Sequence, residues 1–185
     1  MTEASSPRRR DAAASRERLL KAAGELFADR GFDQATARDI GKRAGVDPTL
    51  IARYFGGKAQ LFIAVLRAEA AGAVSGDLLD RGKLEWLLDR TGRRGPGPVF
   101  QAGIRPYDDP DAQVAALNEL DDRVVAPLRE RFSRDGDVDP ELRAELITAA
   151  FLGVLLGRRA GTFEHLGKAT TPQLVALLQD LLGAD

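Results

Sequence analysis

The chain has 185 residues, 44% of them apolar, and a net charge of −1, which suits one large or two small domains with a real core. It has no cysteine, which excludes disulfides and thiol chemistry and fits a reducing compartment. No stretch is apolar for long enough to cross a bilayer, and residues 8–10, Arg-Arg-Arg, are not followed by the apolar segment of a secretory signal, so a soluble cytoplasmic protein is expected.

The charge is unevenly spread. Residues 1–60 hold twelve Lys/Arg against eight Asp/Glu, and the remainder fifteen against twenty. A basic N-terminal third on an acidic body suits a polyanion-facing end. Residues 1–14 are rich in Ser, Ala and Arg and lack apolar periodicity. They are expected to be a disordered basic arm, whose Arg8, Arg9 and Arg10 either contact phosphates or a minor groove, or form a solvated tail. A first helix is expected over 15–30, with Ser15 as its cap and Arg18 where a capping box would carry Glu. Leu19, Ala23, Leu26 and Phe27 give it a core stripe, and Gly31 stops it.

Next come two short helices, expected over 37–44 and 48–54. Thr36 caps the first, whose Ile40 and Ala44 share one face. Gly45 turns the chain, Asp47 caps the second helix, and Pro48 takes its first position, where a missing N–H costs nothing. Cap, helix, glycine turn, cap and helix in that order form a helix-turn-helix signature. Gly56-Gly57 then leads into a fourth helix from Lys58 to about Ala73.

A helix through about Asp89, weakened at Gly82, is followed by an expected loop over 91–98 and a short helical segment over 99–104. A long helix over about 110–132 should kink at Pro127. Asp139-Pro140 opens another helix to about Arg159, and Thr171-Pro172 opens the last. The reading is all-α, about nine helices: a helix-turn-helix domain at 15–57, and a helical ligand-binding and dimerisation domain at 58–185.

The last two helices are too apolar for one buried stripe each. Leu146, Ala150, Gly153, Leu174, Leu178 and Leu181 form either a subunit interface or packing on the rest of the domain. Phe62, Trp86, Phe100 and Tyr107 are candidates for an apolar pocket with a polar handle, with ordinary core as the alternative. His165 is the single histidine and has no clustered ligands beside it, so no metal and no cofactor are expected. No Ser/His/Asp set, P-loop or GxGxxG is present, and Asp108-Asp109 and Asp121-Asp122 are neighbours that point apart. An enzyme is not expected.

Residues 26–32 (Leu-Phe-Ala-Asp-Arg-Gly-Phe), Thr36-Ala-Arg-Asp-Ile40, Ala44-Gly45-Val46 and residues 53–62 (Arg-Tyr-Phe-Gly-Gly-Lys-Ala-Gln-Leu-Phe) resemble, in order and spacing, the TetR family of bacterial transcriptional regulators. The resemblance covers about 45 residues; the body matches it only in helical layout and in the helix start at Asp139. It implies a homodimer on a pseudo-palindromic double-stranded operator, with the second helix of the motif in the major groove and its two copies about 34 Å or slightly more apart. It implies a repressor that a small apolar or amphipathic effector releases from DNA; a helical dimeric interaction protein, or a regulator with no effector, is the alternative. Thr36 would meet a phosphate, Arg38 a base, and Pro48 and Thr49 base edges or a thymine methyl. Tyr54 and Lys58 match phosphate-clamping positions. Many members carry an aromatic residue where this chain has Ala52, and Arg53 is the residue placed to take over its contact. Gly41 stands where Ala is usual and should weaken its helix by about 1 kcal/mol.

Overall fold

A computed structural model describes residues 7–71, 77–104 and 106–182. Among these the secondary structure is helical throughout, with eleven α-helices and one π-helical turn. The chain forms two compact units: Met1–Ala71 with Tyr107–Ala115, and Gly72–Pro106 with Ala116–Asp185.

In the first unit, α1 runs over Pro7–Arg30. It begins eight residues before the expected Ser15, so residues 7–14 are helix and not a disordered arm; residues 1–6 lie outside the described residues. The physical reason is propensity. Arginine and alanine are strong helix formers, nothing between Pro7 and Ser15 breaks a helix, and proline is favoured at a first helical position. Ser15 therefore sits inside the helix, and its Oγ accepts from the Arg18 guanidinium at 3.2 Å. Leu19, Leu26 and Phe27 are buried, where α1 packs on α2 (Ala37–Ala44) and α4 (Lys58–Ala71). The expected end of α4 at Ala73 lies outside the described residues. The core is an aromatic cluster. The Phe62 ring of α4 stands 5.2 Å from Phe27, 4.9 Å from Phe32 and 5.4 Å from Tyr107, in edge-to-face geometry. Between α2 and α4 lies α3 (Thr49–Phe55). Thus α4, expected to open the body, belongs with the helix-turn-helix.

In the second unit, α5 (Arg81–Arg94) is capped by Asp80, whose side chain accepts from the Lys83 N–H. Gly82 falls in its first turn and does not interrupt it. The expected loop shortens to 95–97, because α5 continues through Arg94 and the Gly95 N–H still bonds the Thr91 carbonyl at 2.9 Å. A short α6 (Pro98–Ala102) follows.

The expected kink at Pro127 takes a specific form. α7 (Pro110–Leu120) passes into a π turn at Asp121–Val125, and α8 (Ala126–Asp135) then starts afresh. Pro127 falls in the first turn of α8, where its missing N–H is tolerated. It cannot donate to the carbonyl of Arg123, four residues back, and the buried Lys83 ammonium donates to that oxygen at 2.8 Å. Burial lowers the Lys83 pKa, Asp77 and Asp80 oppose that, and Arg123 adds to it. Lys83→Met keeps the volume and removes the donor. It is expected to cost about 1–3 kcal/mol, the penalty of a part-buried acceptor left without its charged donor. Urea denaturation checks this, and Lys83→Arg, which keeps a donor, should cost less.

α9 (Pro140–Ala160) starts at Asp139, whose side chain accepts from the Leu142 N–H, and its Phe151 packs on Phe100 at 5.7 Å. A short α10 (Glu164–Lys168), not anticipated in the sequence, carries the exposed His165. α11 (Thr171–Leu182) packs on α5, and its Thr171 hydroxyl bonds Asp89 at 2.6 Å. No described helix is long and apolar enough to cross a membrane.

Candidate nucleic-acid interface

The α2–turn–α3 segment is held by bonds that each span five residues or fewer. Thr36 has extended backbone, and its Oγ1 accepts from the Asp39 N–H at 3.1 Å. The Thr36 hydroxyl donates in turn to the Asp39 carboxylate at 2.7 Å, and that bond holds the Asp39 pKa down. Gly45 is left-handed at φ 62°. Its N–H meets the Lys42 carbonyl at 3.3 Å, and the next N–H, from Val46, meets the Gly41 carbonyl at 3.0 Å. The pair is a complete Schellman stop. Asp47 Oδ1 then accepts from both the N–H and the hydroxyl of Thr49, at 2.8 and 2.7 Å, which lowers its pKa. Pro48 is already in helical geometry at φ −61°. At the far end Gly56, at φ 91°, stops α3 and its N–H bonds the Ala52 carbonyl at 2.9 Å.

This framework sorts the expected contact residues. Ile51 is the buried side of α3. Thr36, Arg38, Thr49 and Arg53 are exposed, together with Ala52; Pro48, Tyr54 and Lys58 are half-buried. Lys58 is engaged within its own unit, with Nζ 4.1 Å from the centroid of the Phe32 ring. Burial pulls the Lys58 pKa down, and Asp33, Asp109 and Asp108 push it back up. The Asp108 N–H donates to Asp33 Oδ1 at 3.2 Å, which ties that acidic segment to the loop after α1.

The roles of two residues are not legible in the sequence. The Arg16 guanidinium lies 4.7 Å from the centroid of Phe55, the last residue of α3. With the helix expected to begin at Ser15, Arg16 carried no signal of its own. Gly41, expected only to weaken α2, is buried against Pro48.

The four pocket candidates divide between the units. Phe62 and Tyr107 fill the aromatic core of the first, and burial, then Asp33 and Glu69, push the Tyr107 phenol up. Phe100 packs on Phe151 in the second, where Trp86 is half-buried with the Arg90 guanidinium 5.2 Å from its ring. The six interface candidates divide as well. Leu146 (60% exposed), Ala150, Gly153 and Leu181 (76%) face outward, but Leu174 and Leu178 are 5% and 4% exposed. Those two lie on the inner side of α11, because α11 must cover α5.

Residues 19–65 match the family described as "Bacterial regulatory proteins, tetR family". Residues 83–184 match the "Tetracyclin repressor-like, C-terminal domain". The transcriptional repressor Rv3405c of Mycobacterium tuberculosis is 32% identical over 149 residues, covering 76% of this chain and 70% of that protein. The transcriptional activator FasR of Mycolicibacterium smegmatis is 41% identical over 61 residues, 33% of this chain but only 28% of FasR. Among solved structures, the fatty acid degradation regulator FadR from Bacillus halodurans superposes with a TM-score of 0.68 at 18% identity, covering 90% of this chain and 96% of that one. A TetR-like regulator from Rhodococcus sp. RHA1 gives 0.65 at 23%, covering 91% and 93%. At those identities the structures speak for the fold alone, whereas the sequence matches extend over both halves of the chain. The protein belongs to the TetR family of helix-turn-helix transcriptional regulators.

Proposed function

We propose that the chain is a homodimeric, cytoplasmic repressor that reads a pseudo-palindromic operator and leaves it when a small apolar or amphipathic molecule binds the second unit. The observation that carries the reading is α3 itself. Its inner residue Ile51 is buried, and Thr49, Ala52 and Arg53 are exposed on its outer surface with no core to serve. Arg38 and Thr36 are exposed on the preceding segment. Arginine pairs with guanine edges, and the start of α2 suits a phosphate. Release follows if the effector binds better to a conformation that holds the two helix-turn-helix units wrongly spaced; DNA and effector then oppose each other through one coupling free energy. Selection of bound sites from random double-stranded DNA with the purified full chain tests this. A pseudo-palindrome whose binding weakens steeply with salt is expected, and enrichment of no sequence would sink the reading.

A regulator that answers to no small molecule is the second reading. It is favoured by the placement of Phe62 and Tyr107 in ring-packed core. A screen of apolar and amphipathic compounds for release of the selected site separates the two.

Lys58 gives a sharper prediction. To clamp a phosphate, its ammonium must leave the Phe32 face and the three carboxylates that favour its charge. Lys58→Ala is expected to weaken binding to all sequences alike and to reduce the salt slope by about 0.9 per subunit, about 1.8 for the dimer. Asp108→Asn with Asp109→Asn removes two charges that compete with phosphate, and should tighten binding by about 1 kcal/mol, several-fold in Kd. Fluorescence anisotropy across a salt series checks both, and unchanged slopes would leave Lys58 as a purely internal group.

A further inference from the structure

α2 and the entrance to α3 approach more closely than two ordinary side chains allow. Gly41 is buried on the face of α2 that also carries Ile40 and Ala44. A Cβ at position 41 would lie 2.8 Å from the Val46 carbonyl oxygen, and 3.0 Å from both Cβ and Cδ of Pro48. Neither neighbour is the loose end of a flexible side chain. The Val46 carbonyl is backbone, and the N–H of the same residue is already bonded to Gly41 O. Pro48 is a closed ring with its φ locked, followed by Thr49, which Asp47 holds by two bonds. Glycine inside a helix is less favourable than alanine, so its presence here runs against local propensity, and the space is what it provides.

We infer that Gly41 and Pro48 together are a positioning pair for the recognition helix, setting how deep and at what pitch α3 stands on α2, and so which bases its outer residues read. The inference rests on the DNA-binding reading above. α3 has seven residues and one buried anchor, Ile51, so a shift at either end, the Pro48 ring against Gly41 or Phe55 beneath Arg16, tilts the whole helix. Base-edge hydrogen bonds work within about 0.5 Å in donor–acceptor distance. A methyl group at 41 pushes the entrance outward by a few tenths of an ångström, on the order of that whole window. Phosphate contacts made by long, mobile side chains tolerate such a shift better, since they carry register and not sequence. Discrimination between sequences should therefore suffer more than affinity for DNA in general.

The test is site selection from random DNA with the full-length protein and with Gly41→Ala, followed by affinities for the selected site and for unrelated DNA across a salt series. The expected result for Gly41→Ala is a ratio of specific to non-specific affinity about ten-fold lower, or a changed selected sequence, with the salt slope retained. A purely structural role would lower the thermal midpoint and reduce both affinities together. An unchanged site with an unchanged ratio overturns the inference. Should Gly41→Ala lose helical circular dichroism, Pro48→Ala carries the test, since it keeps Gly41 and removes the ring that stands against it, together with the ring's lock on φ. A changed preference at the bases read by Arg38 or Arg53 then supports the pair, and a change confined to the bases beneath residue 48, or none, overturns it. If the wild-type protein enriches no sequence, the DNA-binding reading fails and takes the inference with it; if it enriches a site that both variants read equally well, the inference alone fails.

Discussion

Phe62→Ala is expected to destabilise the first unit by about 3–5 kcal/mol, the largest loss available from a single side chain there. Phe62 is fully buried, and its ring is the hub of contacts reaching Phe27 on α1, Phe32 in the following loop, and Tyr107 just before α7. Such ring pairs are each worth about 0.5–1.5 kcal/mol beyond simple burial, and the deletion disturbs three at once. Collapse into the vacancy is hindered, because the neighbours are rings held by one another: Phe27 lies 5.8 Å from Phe32, and Phe32 lies 5.5 Å from Tyr107. The change should also disturb DNA binding, since Phe32 carries the Lys58 ammonium. Urea titration followed by circular dichroism reads the loss as a lower midpoint, and Phe62→Leu should recover much of it by refilling the volume. A loss below about 1 kcal/mol for Phe62→Ala would mean that the site closes up freely and that the cluster is not the core of this unit.

What could be read in advance follows the range of the forces involved. The Thr36 cap, the Gly45 stop, the Asp47 turn and the Gly56 stop each rest on hydrogen bonds reaching five residues or fewer, so the residues alone announce them. The start of α1 did not, because residues 7–14 offer no apolar stripe and form helix by propensity alone. The fate of α11 shows a second kind of blindness. Leu174 and Leu178 face α5, while Leu177 and Leu181, three residues further along each time, face outward. On a helix so apolar, sequence does not say which stripe a neighbour will claim. Lys58 shows a third. Its setting is assembled from Phe32, Asp33, Asp108 and Asp109, residues 25 to 51 positions away that no local pattern links to it. Gly41 was visible as an oddity against its helix, but its meaning needed Pro48 beside it in space.

Leu146→Asp together with Leu177→Asp is expected to turn a dimer into monomers and to weaken operator binding by about 10²- to 10⁴-fold. The outward residues of α9 include Leu142, Leu146, Ala149, Gly153 and Leu156. They recur at spacings of four, three, four and three, the rhythm of a helix seam made for another helix. Gly153 has open space where a Cβ would stand, which lets a partner approach closely. α11 adds Leu177 at 65% exposure and Leu181. In a free monomer an aspartate at either position stays in water, so folding should change by no more than about 0.5 kcal/mol. In a packed interface each aspartate is a carboxylate removed from water without a partner, which costs several kcal/mol. The fall in DNA affinity then comes from separating two half-site readers that had acted at a shared effective concentration. Sedimentation measures the assembly, anisotropy the affinity, and circular dichroism confirms that the monomer stays folded. Leu178→Asp is the contrasting variant: it strikes the buried face of α11 against α5 and should unfold the second unit. A double variant that remains dimeric and keeps its affinity would move the interface away from α9 and α11.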